Sequence, residues 1–438
     1  MILKSKEHDS VLFTIGKMVC YLVTITAFFG VAIFSINLGP FTLFPYRIFL
    51  IVLWLLFFGY MLLNKAKMDF SQYSIKWYFI FLAFWIGYSL LSLTWSASLT
   101  LAVRNILFLL MGISVIFFSI YYLRKIEDLQ KVQWIWFGVF SILVILGFWE
   151  YLSGQHLTVS KFYLSTNENI IFIPTGVFHN PNDYAAFLAL GVPFVISLFR
   201  NEEKILFRFL GMETVAGAIY LVVVTGSRAN ILAILLELII FLVIVNVKRK
   251  IKLIIDLVVC MLILLIFLSV PLQGFFLQTT GQISSVATQA VEKIGSMSVR
   301  LNIIRNGLSF LCSKAGFGVG AGNFEYYMSN FAIYDTGGII NSHNWWLEIL
   351  VNYGIFVFIG YIIFYLSIIW KLRKVYYGKL SRYEKIICES LLISLIGFSL
   401  ASLSPSSIMA FRPQWLLFAF ALAFLNYIFN KEETRVLL

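Results

Sequence analysis

Two residue types recur in this sequence where they could do chemistry: arginine at the start of apolar runs, and histidine at the edge of one. In NSHNWWLEILVNYG, residues 341–354, His343 stands where a polar stretch turns into a run apolar enough to enter a membrane. Asn341 or Ser342 can cap a helix that begins there, which puts His343 in its first turn. The positive helix end disfavours an imidazolium, so the ring should stay neutral near neutral pH. A neutral imidazole at such a boundary is a candidate general base. The competing reading is a histidine that only joins the capping network.

Arg47 follows Pro45, Arg104 and Arg228 open later runs, the second in VVVTGSRANILA, and Arg412 stands just before Pro413. A cation at a helix N-terminus opposes the macrodipole, at a cost of about 0.3–1 kcal/mol. These arginines are poorly placed for their helices and well placed for a polyanion; alternatively each snorkels to lipid phosphate. Ser227, as an N-cap, would fix Arg228 in position. His179 lies in TGVFHNPNDYAAFL, where Asn182 and Asp183 begin another run. The asparagines there satisfy backbone groups at a tight turn or contact substrate. Glu150 and Glu348 lie near run edges, whereas Glu237 is near the middle of one, where an ionisable group is expensive and a functional suspect. No paired-acid motif and no His/Cys cluster of zinc spacing occurs, so neither a metal nor another cofactor is expected.

The elements that must position these residues are membrane helices. Of 438 residues, 61% are hydrophobic and 12% charged, against about half and a quarter in a soluble domain. Apolar runs of roughly twenty residues, enough to cross a bilayer as a helix, recur at 11–36, 41–64, 76–96, 100–123, 132–152, 183–200, 206–225, 228–247, 251–270, 345–370, 385–403 and 412–430. The net charge of +12 comes from cations clustered between runs, so it marks topology rather than a nucleic-acid partner. Lys65, Lys67 and Lys76, then Arg124, Lys125 and Lys131, then Arg200, Lys204 and Arg208, then Lys248–Lys252, then Lys371–Lys385 occupy every second gap. That set is read as cytoplasmic, with both termini. The opposite gaps include the two longest, 153–182 and 271–344, which face outward. The four cysteines form no disulfide framework, and the first run has no evident cleavage site, so it reads as an uncleaved helix.

The loop 271–344 is patterned. Leu301, Ile304, Leu308 and Leu311 recur at helical spacing, which predicts an amphipathic helix over 297–312 with these residues on its apolar stripe. The AGFGVGAGNFEYY that follows predicts a tight glycine turn able to act as a hinge. With no βαβ context, its GxGxG is not read as a nucleotide site.

These pieces together resemble the O-antigen ligase and polymerase family. TGVFHNPNDYAAFL is similar to that family's segment before a mid-chain helix, and TGSRANILA to its Ser-Arg helix start. SVRLNIIRNGLSFLCSKAGFGVGAGNF resembles its arginine helix and glycine turn, and SHNWWLEILVNYG its histidine at the return into the membrane. The four segments span 174–354; the remaining runs match in character only. The resemblance implies an all-α polytopic, GT-C-like membrane protein of about twelve spans with a long, partly helical extracytoplasmic loop, 1–438 forming one integral domain. It carries functional roles over to Arg228, Arg300 and His343. Arg305 lies five residues beyond Arg300, roughly 140° around a helix, so the two cannot face a site equally. Arg47, Arg104, Arg305, Arg412, His179, Asn182 and Asn344 remain candidate substrate contacts.

The implied donor is an oligosaccharide on undecaprenyl diphosphate at the outer leaflet of a bacterial cytoplasmic membrane. An acceptor hydroxyl would attack the anomeric carbon with inversion, His343 would take its proton, and Arg228 and Arg300 would stabilise the departing diphosphate. The leading expectation is a polymerase of lipid-linked repeats for a surface polysaccharide, capsular or teichuronic-acid-like. A ligase that moves a glycan to another acceptor is its neighbour. A lipid-linked sugar flippase is the rival from another class, though no paired repeats or midplane site are visible. The bilayer is a partner; other polysaccharide-export proteins are compatible ones.

Overall fold

The computed structural model describes residues 11–38, 41–63, 75–167, 170–200, 202–244, 247–267, 298–406 and 409–436. Lys65, Lys67 and the loop up to residue 297 lie outside them. Nine helices among the described residues are long and apolar enough to cross a membrane: Val11–Ala32, Pro45–Leu63, Lys76–Thr94, Leu99–Tyr122, Ile126–Ser153, Pro181–Phe199, Ile205–Val224, Trp345–Tyr376 and Arg412–Lys431. Three further runs read as spans are also helical, Arg228–Ile244, Val247–Phe267 and Arg382–Ala401. The first has only 17 residues, and the other two carry charged residues in their opening turns. The chain is therefore an all-α polytopic membrane protein.

The bundle is built around the helix Pro181–Phe199, which is buried over 89% of its apolar window, and Arg412–Lys431, buried over 83%. The former packs on Arg382–Ala401 and Ile205–Val224, the latter on Leu99–Tyr122. Close approach is bought by glycine: a Cβ on Gly112 would lie 2.2 Å from the Trp415 ring. Outer helices expose large apolar side chains such as Leu55, Leu62, Ile145 and Val243, as lipid-facing surfaces do. At the lysine-rich end, Lys17 pairs with Asp128 at 3.1 Å and Arg208 with Asp256 at 3.0 Å. There the buried Arg200 grips Glu389, which also accepts from Ser197 and Tyr376.

The opposite end carries the loops. Three features of the fold depart from expectation. A two-stranded antiparallel hairpin, Ile36–Leu38 with Phe41–Leu43, interrupts the all-helical pattern. The first run therefore leaves α-helix at Phe29 and the second enters it only at Pro45, not at 41. Arg412 is the local cause: its Nε donates to the Ala27 carbonyl at 2.8 Å, and its guanidinium fills the space a Cβ on Gly30 would need. Second, the Ile126–Ser153 helix begins six residues before the expected 132, where Asp128 Oδ2 accepts from the Lys125 N–H at 3.3 Å. Third, the Trp345–Tyr376 helix is broken at Gly354, with φ 78° and ψ −178°. The glycine turn wedges into that break. Val319 N–H donates to the Val351 carbonyl at 2.8 Å, Gly320 N–H to Asn352 at 3.0 Å, and Ile355 N–H to Gly316 at 2.9 Å. Gly316, Gly318, Gly320 and Gly322 all have positive φ, as a tight turn requires. The turn is pinned at both sides as a wedge.

Candidate functional site

Three separated stretches meet at residues 402–406, a short connection the sequence reading passed over. Ser404 is the junction. Its hydroxyl lies 2.9 Å from that of Ser227 and accepts from Asn230 Nδ2 at 3.0 Å. Its carbonyl lies 3.3 Å from His343 Nδ1. One residue pair away, Ser406 Oγ accepts from Asn180 Nδ2 at 2.7 Å and its N–H donates to Asp183 at 3.3 Å. The Trp345 N–H closes the junction on the Ser402 carbonyl at 3.1 Å. The Asn-Pro-Asn turn, the Ser-Arg turn and the histidine turn are thus held on one frame.

His343 does not sit in the first helical turn. Asn344 is the N-cap, its side-chain oxygen accepting from Trp346 and Leu347 N–H at 3.1 and 3.2 Å, so neither Asn341 nor Ser342 caps. Asn344 therefore uses its carbonyl oxygen on the backbone. His343 precedes the cap with φ +44°, a left-handed conformation that costs of order 1–3 kcal/mol in a non-glycine residue and tends to occur at functional sites. A carbonyl can only accept, so Nδ1 carries the proton toward Ser404 and Nε2 presents its lone pair when the ring is neutral. Burial lowers the His343 pKa; the Ser404 hydrogen bond opposes this, and the nearby charges of Arg300 and Lys161 lower it further. The ring is kept neutral, as the sequence suggested, but by burial and two cations.

Arg300 lies on the helix 298–313, which forms where expected. Its buried face is rotated from the expected stripe and keeps half of it: Leu311 is buried and Ile304 packs against the cluster, but Leu301 and Leu308 are 47% and 44% exposed, while Ile303 and Phe310 pack with Phe324, Met328, Leu347 and Val351. Asn306 explains the rotation. Buried on that same face, it accepts from Ile333 and Tyr334 N–H at 2.9 and 3.0 Å and donates to the Tyr334 carbonyl at 2.8 Å. Arg305 turns instead to the Tyr334 ring at 5.7 Å and to Asn302 at 3.5 Å. Of the two arginines, Arg300 is the one whose charge reaches His343.

Arg228 is exposed at the start of its helix, and the hydroxyl of the preceding Ser227 is directed to Ser404 and Asn230. The Asn182 carbonyl accepts from Asn230 Nδ2 at 3.3 Å, but the cap of the Pro181–Phe199 helix is Asn180, not Asn182. His179 is exposed, with Nδ1 3.1 Å from the Val159 carbonyl, and its own carbonyl accepts from Lys161 N–H at 2.9 Å. It thereby positions Lys161. Glu150 is fully buried and accepts from Thr175 and Gly176 N–H at 2.6 Å each, which ties the loop 153–182 down together with His156 at 3.2 Å. Glu237 is buried against Gly397, and its carboxyl meets no hydrogen-bond partner among the described residues.

Between this junction and the helix Leu99–Tyr122 lies a cavity of about 100 Å³, lined by Ser342 and Ser406 on one side and Arg104 on the other. Glu325, Glu348, Asn105 and Asn352 supply further polar groups. Arg47 and Arg412 stand beyond Arg104 around Phe44 and Phe108. Among the described residues no three His, Cys, Asp or Glu side chains gather as a metal site.

Sequence reasoning missed Ser404, Ser406, Asn230 and Lys161. Neither the SLSPSS stretch nor Lys161 stands in a local pattern that marks it; only the fold brings them to His343.

Residues 214–362 match the family described as O-antigen ligase, a range that holds Arg228, Arg300 and His343 and ends before Ser404. The chain is also 33% identical over 421 residues to the "Teichuronic acid biosynthesis protein TuaE" of Bacillus subtilis (strain 168), covering 95% of this chain and 85% of that one.

Proposed function

Because this chain belongs to the O-antigen ligase and polymerase family, we propose that it is a polymerase of undecaprenyl-diphosphate-linked repeat units for a surface polysaccharide. It works at the outer leaflet of a bacterial cytoplasmic membrane, as one integral domain of about twelve spans with both termini inside. The relative's assignment to teichuronic acid biosynthesis supports a cell-surface glycan as product.

The reading rests on one observation, the Ser404 junction that fixes His343 with Nε2 available. In the reaction, a hydroxyl of the acceptor sugar gives its proton to Nε2 as its oxygen bonds the anomeric carbon from the face opposite the diphosphate. The bond from that carbon to the diphosphate oxygen breaks, and undecaprenyl diphosphate leaves with the electron pair. Inversion follows from the single displacement. Arg228 and Arg300 bind the charge that develops on the leaving diphosphate, and Lys161 adds to the same field. No nucleotide or metal enters the scheme.

Cells lacking the protein test this reading. Accumulation of single lipid-linked repeats is expected. Full-length chains left on the lipid would mean a ligase, and repeats trapped on the inner leaflet would mean a flippase.

The lowered pKa of His343 adds a prediction about pH. The base is active when neutral, so activity should fall only as pH drops below the ordinary histidine value of about 6.5. Lys161→Ala removes a charge that disfavours the imidazolium, so the acid limb of kcat/KM should move to higher pH. An unmoved limb would separate His343 from the titration.

A further inference from the structure

Three guanidinium groups crowd one corner of the loop-bearing end, away from the His343 junction. Arg47 lies 4.9 Å from the Phe44 ring and 5.8 Å from the Phe108 ring. Arg412 shares Phe44 at 5.4 Å, and Arg104 shares Phe108 at 5.6 Å. Two rings thus hold three cations together, although like charges at close range repel. Glu325 lies within electrostatic reach of Arg104, and Asp183 of Arg412. Asp183 is already engaged by Asn180 and the Ser406 N–H. Three guanidinium groups gathered around two rings suit an anion with several oxygens.

The surroundings specify what kind of anion. A narrow cavity lies against Arg47 and Arg412, walled by Met111, Met409 and Trp415. It shares Phe108 and Ala410 with the larger cavity, which runs past Arg104 to Ser342 and Ser406. Charge, an apolar wall and a polar channel therefore follow one another. The channel carries Glu325, Glu348, Asn105 and Asn352, the acceptors and donors that sugar hydroxyls need.

We propose that the Arg47–Arg104–Arg412 corner is a second lipid-phosphate site, which holds the diphosphate of the acceptor while its saccharide extends along the channel toward His343. The proposal rests on the polymerase reading above. Joining two lipid-linked units requires two diphosphates in the protein at once, and the Arg228–Arg300 group accounts for one. A ligase acting on an acceptor without a lipid diphosphate would have no use for this corner.

The test is the stoichiometry of undecaprenyl diphosphate bound to the full-length protein in nanodiscs of zwitterionic lipid, read by native mass spectrometry. Wild type should bind two molecules. Arg104→Gln, a change at an exposed side chain, should lose one and keep the other, and Arg228→Ala should lose the complementary one. In turnover assays Arg104→Gln should raise the half-saturating acceptor concentration by about tenfold. A single bound molecule that Arg104→Gln leaves in place overturns the second site and leaves the polymerase reading standing. Two molecules that Arg228→Ala leaves in place sink the donor assignment instead. Phosphatidylglycerol that displaces the Arg104-dependent molecule at equal concentration makes the corner an ordinary phospholipid contact and overturns the acceptor role.

Discussion

Replacing His343 with alanine should abolish polymer while the protein stays inserted in the membrane at wild-type abundance. A positioned general base contributes roughly 10²–10⁴-fold, and no second imidazole lies within the Ser404 junction. His179, the other histidine on this frame, is turned to the Val159 carbonyl. Because His343 has φ +44°, alanine also carries a backbone penalty of about 1–2 kcal/mol. His343→Asn is the sharper variant, since asparagine tolerates that conformation and cannot take up a proton near neutral pH. Both should fail alike in polymer length and yield. Wild-type polymer from either one removes the base from the account; normal activity per molecule at reduced abundance makes His343 a structural residue.

Arg228→Lys should be severely impaired although the charge is kept. A planar guanidinium can bond two diphosphate oxygens at once, and an ammonium is only a point charge. A hydrogen bond to a charged group contributes about 1.5–3 kcal/mol, so loss of the second one lowers turnover by roughly ten- to a hundredfold. Arg228 is exposed, so the substitution should not disturb folding, and Ser227 and Asn230 continue to hold the turn on Ser404. Turnover equal to wild type in the lysine variant would make Arg228 a lipid or topology contact.

The parts legible in sequence were those set by local pattern. Run length and hydropathy located the helices, and loop cations located the lysine-rich end. The glycine spacing of 316–322 announced a turn whose four glycines all have positive φ. What the pattern could not convey was which partners the fold supplies. Of the predicted stripe, Ile304 and Leu311 face the packed side but Leu301 and Leu308 face outward, because Asn306 finds the backbone of 333–334 and shifts the buried face. Arg412 looked like a helix-end cation, but it reaches across to the Ala27 carbonyl and ends another helix. Gly354 reads as one more small residue in an apolar run; it breaks the helix because the backbone of 316–320 hydrogen-bonds there. The candidate site divides in the same way. His343, Arg228 and Arg300 were visible by type and neighbourhood. Ser404 was not, since its role lies in contacts to residues 61 and 177 positions away.

The most direct measurement uses purified protein and a single chemically defined substrate, the undecaprenyl-diphosphate-linked repeat unit, with EDTA present throughout. The account predicts chains of two or more repeats, with one undecaprenyl diphosphate released for each new bond, inversion at the joined anomeric carbon, and no product from His343→Asn. Retention of configuration, release that does not match bond formation, or activity that appears only when magnesium or manganese is restored would contradict it.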